Sequence, residues 1–514
     1  MSFALLSLTV GLLGLYLLQY VLRKGNEQLP PGPPRKPIIG NLGDLPSHND
    51  RAWEHWLKHK ELYGPISSVT VWGEHIIVLN DARLAVELLE KRSSIHSSRP
   101  NQTFGDMAGW NNILGSVKYS DAFRAIRKAL HQQIGSNVSV AQFNPVQEVE
   151  VRRFLLRVLR DPRNLLDHIR KEAGAIVLKV AYGYTIEPHG PDPLVDLANK
   201  AMEEFSVAIL PVRYIPTWFP GVEFPKMAKK FKKTVTAFSD LPYAFVKQKM
   251  AENNFQPSFL SNLLQETSFD EGSEEEMVVK WSAASLYAGG ADTTVSTMAS
   301  FFLSMAMNPE VQEKAQAEID RIVGVDRLPG YEDRDNLPYI NAMVKEVFRW
   351  HPVVPTSVAH TSIKDDTCEG YHIPKGSAII PNIWAYTHDP EVYPDPLAFK
   401  PERFLEYDGH VPERDPHLLS FGFGRRVCPG RTLADSNVYL SLAQSLAVFR
   451  ITKPVRDGKV IEPEPMFQPG IISHPAPFEV DVKPRSPGHV ELILAVEKEQ
   501  PWEKSHAKEL SSSG

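Results

Sequence analysis

Cysteine is almost missing from this chain: its 514 residues include two, Cys368 and Cys428. Two thiols cannot build a disulfide framework, and such sparing use fits a reducing compartment. Positive charge is not in excess either. Lysine and arginine total 56 against 62 aspartates and glutamates, a formal net charge of −6, so nucleic-acid binding has no electrostatic support. No G-x-G-x-x-G follows a strand-like run, so the chain carries no flavin or nicotinamide fingerprint. Internal repeats are lacking, and no flexible linker divides the chain after residue 50. Length alone would suggest about three domains, but without a linker we read one large body. A hydrophobic fraction of 42% and a charged fraction of 23% are those of an ordinary globular protein.

The chain opens on an apolar run. Ser2 to Leu22 is uncharged, and at about 1.5 Å per residue it is long enough to cross a bilayer core of roughly 30 Å. A cleaved signal peptide would carry its positive charge before the apolar stretch and a small-residue cleavage site after it. Here Arg23 and Lys24 come after, which keeps the C-terminal side in the cytoplasm. Residues 1–24 are therefore expected to form an uncleaved single-pass anchor. The run Leu29-Pro30-Pro31-Gly32-Pro33-Pro34 cannot continue a helix and favours extended geometry, so residues 25–50 read as a proline-rich hinge. Residues 51–496 make the folded body. Residues 497–514, polar and ending in serines, are expected to be disordered.

Within the body, Ile66 to Leu79 alternates and is rich in valine and isoleucine, with Gly73 as a turn, and predicts a hairpin. From about residue 81 to 323 the pattern is mainly helical, with helices expected at Asp81–Arg92, Val146–Leu159, Asn199–Ile209 and Glu274–Met307. Asn308-Pro309 ends the last of these and starts another. Leu337–Trp350 is a helix closed by His351-Pro352, and short strands and proline turns follow. A final helix, Arg431–Phe449, starts just behind Cys428 and would turn its positive end toward the sulfur.

Three stretches carry chemistry. The first is Phe421-Gly422-Phe423-Gly424-Arg425-Arg426-Val427-Cys428-Pro429-Gly430. A thiolate is the useful form of cysteine as a metal ligand, and nearby cations favour it. Gly424 and Gly430 leave room for a flat cofactor to approach the backbone, and freed N–H groups can hydrogen-bond the sulfur. A lone cysteine is otherwise an ordinary buried residue. The second is Ala288-Gly289-Gly290-Ala291-Asp292-Thr293-Thr294, inside the long apolar helix. Two interior glycines cost about 1 kcal/mol each relative to alanine. Either close helix packing or a functional kink must offset that. The third, Lys345-Glu346-Val347-Phe348-Arg349, sets Glu346 and Arg349 three apart on one helix face; alone, such a pair is common and worth a few tenths of a kcal/mol.

The spacing Phe421, Gly424, Arg426, Cys428, Gly430 resembles the haem-binding loop of the cytochrome P-450 family, and the resemblance covers nearly the whole chain. Anchor, proline hinge, Asp292-Thr293 helix, Glu346-x-x-Arg349, Phe399-Lys400-Pro401-Glu402-Arg403-Phe404 and cysteine loop occur in the family's order. It implies a mainly α fold with a small β region, the family's helical prism, behind the membrane helix. It implies haem b with Cys428 as axial ligand and O2 as co-substrate. NADPH electrons would arrive through a separate NADPH–cytochrome P-450 reductase, with cytochrome b5 as a second donor. Arg124, Lys128, Arg425 and Arg431 would form the reductase docking surface. Glu346, Arg349 and Arg403 resemble the family's buried charge triad. Asp292 and Thr293 resemble its acid–alcohol pair, at a kink opening the helix over the haem. Arg426, Arg127 and His360 are candidates to hold the haem propionates. The chain departs from the family at Phe123, where a tryptophan would supply an indole N–H.

By the same resemblance the pocket walls would be Phe104, Met107, Trp110, Ile113 and Leu114; Ser285, Leu286 and Gly289; Val353, Val354 and Ser357; and Ile471 and Ile472. They are mostly apolar and suggest an apolar or aromatic small molecule. Phe205 to Phe219 would border the route in. Asp365-Asp366, Glu369-Gly370-Tyr371, Ile373-Pro374-Lys375-Gly376 and Asn382-Ile383-Trp384-Ala385 are similar to fungal enzymes of secondary metabolism, whose scaffolds are terpenoid, indole or polyketide. The expected activity is insertion of one O2 oxygen atom into a C–H bond, at the cytosolic face of the endoplasmic reticulum membrane. Two other classes stay open: a haem-thiolate isomerase or dehydratase that does not use O2, and a non-enzymatic haem sensor or electron carrier.

Overall fold

The computed structural model describes residues 28–47, 49–209 and 223–511. The expected anchor lies outside these residues, as does most of the Phe205–Phe219 stretch. Among the described residues no helix is long and apolar enough to cross a membrane.

Helices dominate, and one of them is the axle. Glu274–Met307 starts where the Ser273 side chain accepts from the N–H of Glu276, and three glutamates fill the first turn at the positive end of the dipole. Asn308 closes it and Pro309 opens Pro309–Ile322. The axle packs against Leu165–Tyr182 so closely that a Cβ on Gly290 would fall 2.7 Å from Val177 Cγ2. A Cβ on Gly289 would meet nothing within 4 Å. Gly290 is thus explained by packing, and the open side of Gly289 faces the cavity described below. No break interrupts the helical run at Gly289-Gly290: residues 274–307 are α-helical throughout.

The β region is small. Ile66–Val71 and Glu74–Leu79 form the expected hairpin, and its two-residue loop, Trp72-Gly73, has positive φ at both positions (51° and 81°), as a tight hairpin turn requires. Glu74–Leu79 then pairs in parallel with Ala378–Pro381, which pairs antiparallel with His360–Thr361. The first of these pairings joins strands about 300 residues apart in sequence, and Val353–His360 leads into the second.

Other elements fall near expectation: Asn144–Arg160, Pro193–Ala208, Pro338–Trp350 and Arg431–Val448. The expected Asp81–Arg92 helix is a single α turn, Ala82–Ala85, capped by Asp81 and continuing as a π-helix, Val86–Lys91. The polar tail is not disordered through residue 511. Pro487–Glu499 is a helix, and Ala507–Ser511 is another. Between them Trp502 lies 5.1 Å from the Arg153 guanidinium and Glu503 pairs with Lys179 at 2.5 Å, and in the second helix Glu509 pairs with Lys249 at 2.7 Å. One aromatic ring and two ion pairs hold a segment whose composition alone argued for disorder.

Candidate functional site

A cavity of about 360 Å³ lies against the axle helix, with Cys428 in its wall. The Cys428 N–H donates to the carbonyl of Phe421 at 2.8 Å, which closes the loop. Gly424 has a φ of +53°, and a Cβ there would sit 2.2 Å from the carbonyl oxygen of Leu89. Its glycine is therefore demanded by the π-helix behind the loop. Gly430 has open space where a Cβ would go and lines the cavity. Burial raises the pKa of the Cys428 thiol; a hydrogen bond from the Gly430 backbone and the charges of Arg127 and Arg431 work against that. The helix Arg431–Val448 begins three residues after the sulfur.

The electrostatics are unbalanced in a telling way. Arg426 donates to the carbonyls of Ser97, Leu114 and Val117 at 2.7, 3.1 and 2.8 Å. Arg99 donates to the carbonyls of Gly115, Val358 and Ala359, and Arg127 to that of Val427. All three guanidiniums line the cavity, and none has a carboxylate among these partners. Burial, then repulsion from Arg127, pulls Arg426 down to about 9, and burial pulls Arg99 well below its usual value. One buried and two half-buried cations with no carboxylate among these partners fit a ligand that brings carboxylates of its own. Among the described residues no group of three or more His, Cys, Asp or Glu could hold a bare metal ion. A single cysteine holds iron when a macrocycle supplies the other ligands, and haem supplies both the macrocycle and two propionates.

His360, the third expected cation, lines the same cavity but without a charge. Burial and then the charge of Arg99 hold it neutral, and its Nδ1 lies 2.8 Å from the carbonyl oxygen of His96. Arg99 takes its place, and no short-range pattern in the sequence marked it. Phe123 is 2% exposed, and the Arg426 guanidinium stacks on its ring at 3.8 Å. The phenyl ring therefore orients Arg426 by a cation–π contact in place of an indole donor.

Of the expected walls, Trp110, Ile113, Leu114, Ser285, Leu286, Gly289, Val353, Val354, Ser357, Ile471 and Ile472 all line the cavity. Phe104 and Met107 do not. Phe104 packs between Phe224 and Phe231, and Met107 is 39% exposed. Ala173, Ile176 and Val177 add a wall from Leu165–Tyr182 that the sequence reading missed, because nothing local shows which helix will lie across another. Thr293 lines the cavity, and its Oγ1 donates to the carbonyl of Gly289 at 2.6 Å, leaving the oxygen free to accept. Asp292 points along the helix flank instead, where its Oδ1 lies 3.1 Å from Nε2 of His474, a residue not anticipated from the sequence.

Behind the site, Glu346 is fully buried. Its oxygens take Arg349 at 2.7 and 2.8 Å and Arg403 at 3.3 Å, and Arg403 reaches on to Glu413 at 2.9 Å. The Lys400 N–H also donates to Glu346 at 2.7 Å, which ties the Pro401–Phe404 turn to the Pro338–Trp350 helix. Arg124, Lys128, Arg425 and Arg431 are all exposed, near the cysteine loop and the Asp121–Ile134 helix.

Fold, cavity and donor set together define a haem-thiolate protein. The cytochrome P450 family model matches residues 30–482, and the chain belongs to that family. It is 51% identical to cytochrome P450 monooxygenase ppsD of Aspergillus oryzae, over 99% of both chains. It is 47% identical to cytochrome P450 monooxygenase claR of Ampulloclitocybe clavipes, over 95% of this chain and 92% of that one. To the O-methylsterigmatocystin oxidoreductase of Aspergillus flavus it is 44% identical over 99% and 98%. The chain is a haem-dependent P450 monooxygenase with relatives in fungal secondary metabolism, using O2 and electrons from NADPH delivered through a reductase.

Proposed function

We propose that the substrate is an apolar or aromatic secondary metabolite of terpenoid, indole or polyketide type. The observation that supports this most is the cavity wall itself: Trp110, Phe205, Ile176, Val353, Ile471 and Ile472 offer ring and methyl surface, while the charged groups cluster about the cysteine loop. Such a wall excludes water and orients the substrate by shape. Haem bound at Cys428 supplies the O2 chemistry. Arg426, Arg127 and Arg99 are placed to hold its propionates, and the Gly430 N–H steadies the sulfur. Thr293, with its oxygen free to accept, holds a water at the cavity edge, and Asp292 supplies that water's proton. The protein is anchored by Ser2–Leu22 in the endoplasmic reticulum membrane and faces the cytosol. Arg124, Lys128, Arg425 and Arg431 receive the NADPH–cytochrome P-450 reductase, with cytochrome b5 as a second donor.

Coexpression with a fungal reductase, followed by mass spectrometry on terpenoid, indole and polyketide scaffolds, tests the substrate class. Mass gain of one oxygen on one scaffold class is expected. In the same assay Thr293→Ala should consume NADPH at a similar rate, form less product and release more hydrogen peroxide. Full coupling in that variant would reduce Thr293 to a helix-packing group.

A further inference from the structure

Asp292 is turned away from the cavity toward His474, and the residue before His474 is held in place by several hydrogen bonds. Residue 473 is fully buried. Its N–H donates to the carbonyl of Val353 at 2.8 Å. Its own carbonyl accepts from Ser296 Oγ at 2.6 Å and lies 3.1 Å from Nε2 of His351. Its hydroxyl donates to the carbonyl of Gln468 at 2.9 Å, and the Gln468 N–H donates to the carbonyl of His474 at 2.7 Å. Asp292 and Ser296 are four apart and share one helix face, so Ser473-His474 lies along that face and meets both. The same loop turns Ile471 and Ile472 into the cavity. Asp292 and His474 are 24% and 27% exposed at their side chains, and neither lines the cavity. The pair is thus partly open to water at the position next to Thr293 along the helix.

We propose that His474 is a positioning residue that holds the Asp292 carboxylate on the solvent side of the axle helix and passes it protons from water. The inference rests on the reading of Asp292 as the proton donor behind Thr293. Charge and atoms balance within the pair. The Nε2–H bond of the imidazolium breaks and the Asp292 Oδ1–H bond forms; the neutral imidazole is then reprotonated by hydronium or a buffer acid in the bulk solvent, which is left as water or the conjugate base. No oxidant or reductant is needed. The group facing the pair from the neighbouring helix end is His351, which burial pulls down to about 3, so it stays neutral and does not compete for the proton. Packing alone does not require an imidazole at this place, since the loop is already fixed through Ser473.

Two measurements on the reductase-coupled holoenzyme test this. The first involves no turnover: diethyl pyrocarbonate labelling of His474, followed by peptide mass spectrometry. Asp292→Asn should raise the labelling rate at least about twofold, because Nε2 loses its carboxylate partner; an unchanged rate would show that the contact does not form. The second compares His474→Ala and His474→Gln at equal haem content and equal substrate affinity. The glutamine can still hold the carboxylate by a hydrogen bond but cannot carry a proton. Both variants should slow NADPH consumption about three- to tenfold and enlarge the solvent deuterium isotope effect, since stray water supplies part of the lost proton flow. Wild-type rate and isotope effect in both, with Asp292→Asn slow, would overturn the role of His474 alone. If Asp292→Asn is itself at wild-type speed, the reading of Asp292 fails, and this proposal fails with it.

Discussion

Titrating His417 should reveal how the cysteine loop is held. Its ring is clamped by two carboxylates: Nδ1 lies 2.7 Å from Asp415 and Nε2 3.0 Å from Asp435. Each carboxylate has a second cation, Lys345 at 3.0 Å and Arg334 at 2.7 Å. The ring also stacks on Phe421, the first residue of the loop, and meets Phe348 edge-on. Burial works against the charge on His417, but hydrogen bonds to Asp415 and Asp435 win and push its pKa up to about 9. An unfolded histidine titrates near 6.5. The folded value is the higher one, so the contribution is complete below about pH 6.5 and is lost as pH rises through about 9. Counting the cluster once, a rise of this size stabilises by about 2–3 kcal/mol at pH 7 and by almost nothing at pH 9.5. The side chain is 24% exposed, so solvent screening does not erase this. Thermal unfolding of wild type and His417→Gln, followed at the haem absorbance across pH 6–10, should show a gap that is widest at the acid end of that range, narrows through neutrality and closes by about pH 9.5. A gap that stays constant with pH would show that His417 contributes by packing alone.

Cys428→Ala should abolish the red-shifted carbon monoxide band of the reduced haem; if the band persists, Cys368 must be the ligand, though it is buried at the end of the Asp366–Cys368 strand. Glu346→Ala leaves Arg349 and Arg403 buried without their shared carboxylate, and should cost about 3–5 kcal/mol and most of the folded protein on expression; wild-type yield and melting would refute that. Phe123→Trp restores an indole donor beside Arg426 and should slow haem loss to apomyoglobin about fivefold, from about 1 kcal/mol of added hydrogen bonding; an unchanged or faster rate would show that the Phe123 ring is not beside the propionates. The sequons at Asn101 and Asn137 should carry no glycan, as expected of a cytosolic body, and glycan on either would reverse the topology.

The sequence by itself determined what short-range rules can write. Ser273 and the three glutamates after it fixed the start of the axle helix, Asn308-Pro309 fixed its end, and Trp72-Gly73 fixed the hairpin turn. The ordered motifs around Cys428 carried the family, because five spaced residues in one loop hold that information without any partner. Most of the cavity wall was legible for the same reason. Tertiary structure decided which distant groups meet. Arg99 and Arg426 share a cavity only because the chain between them folds back, and Gly424 is a glycine because the carbonyl of Leu89 arrives 2.2 Å from where its Cβ would be. The helix carries Gly289-Gly290 without a break, and Gly290 is explained by Val177 on a neighbouring helix. Asp292 looked like a cavity residue by position, yet its partner is His474, 182 positions on. The tail looked disordered by composition, yet Trp502 and Glu503 find Arg153 and Lys179. Helix caps, turn dihedrals and periodicity act within a few residues, whereas packing and ion pairing select partners in space, and only the folded chain brings those partners together.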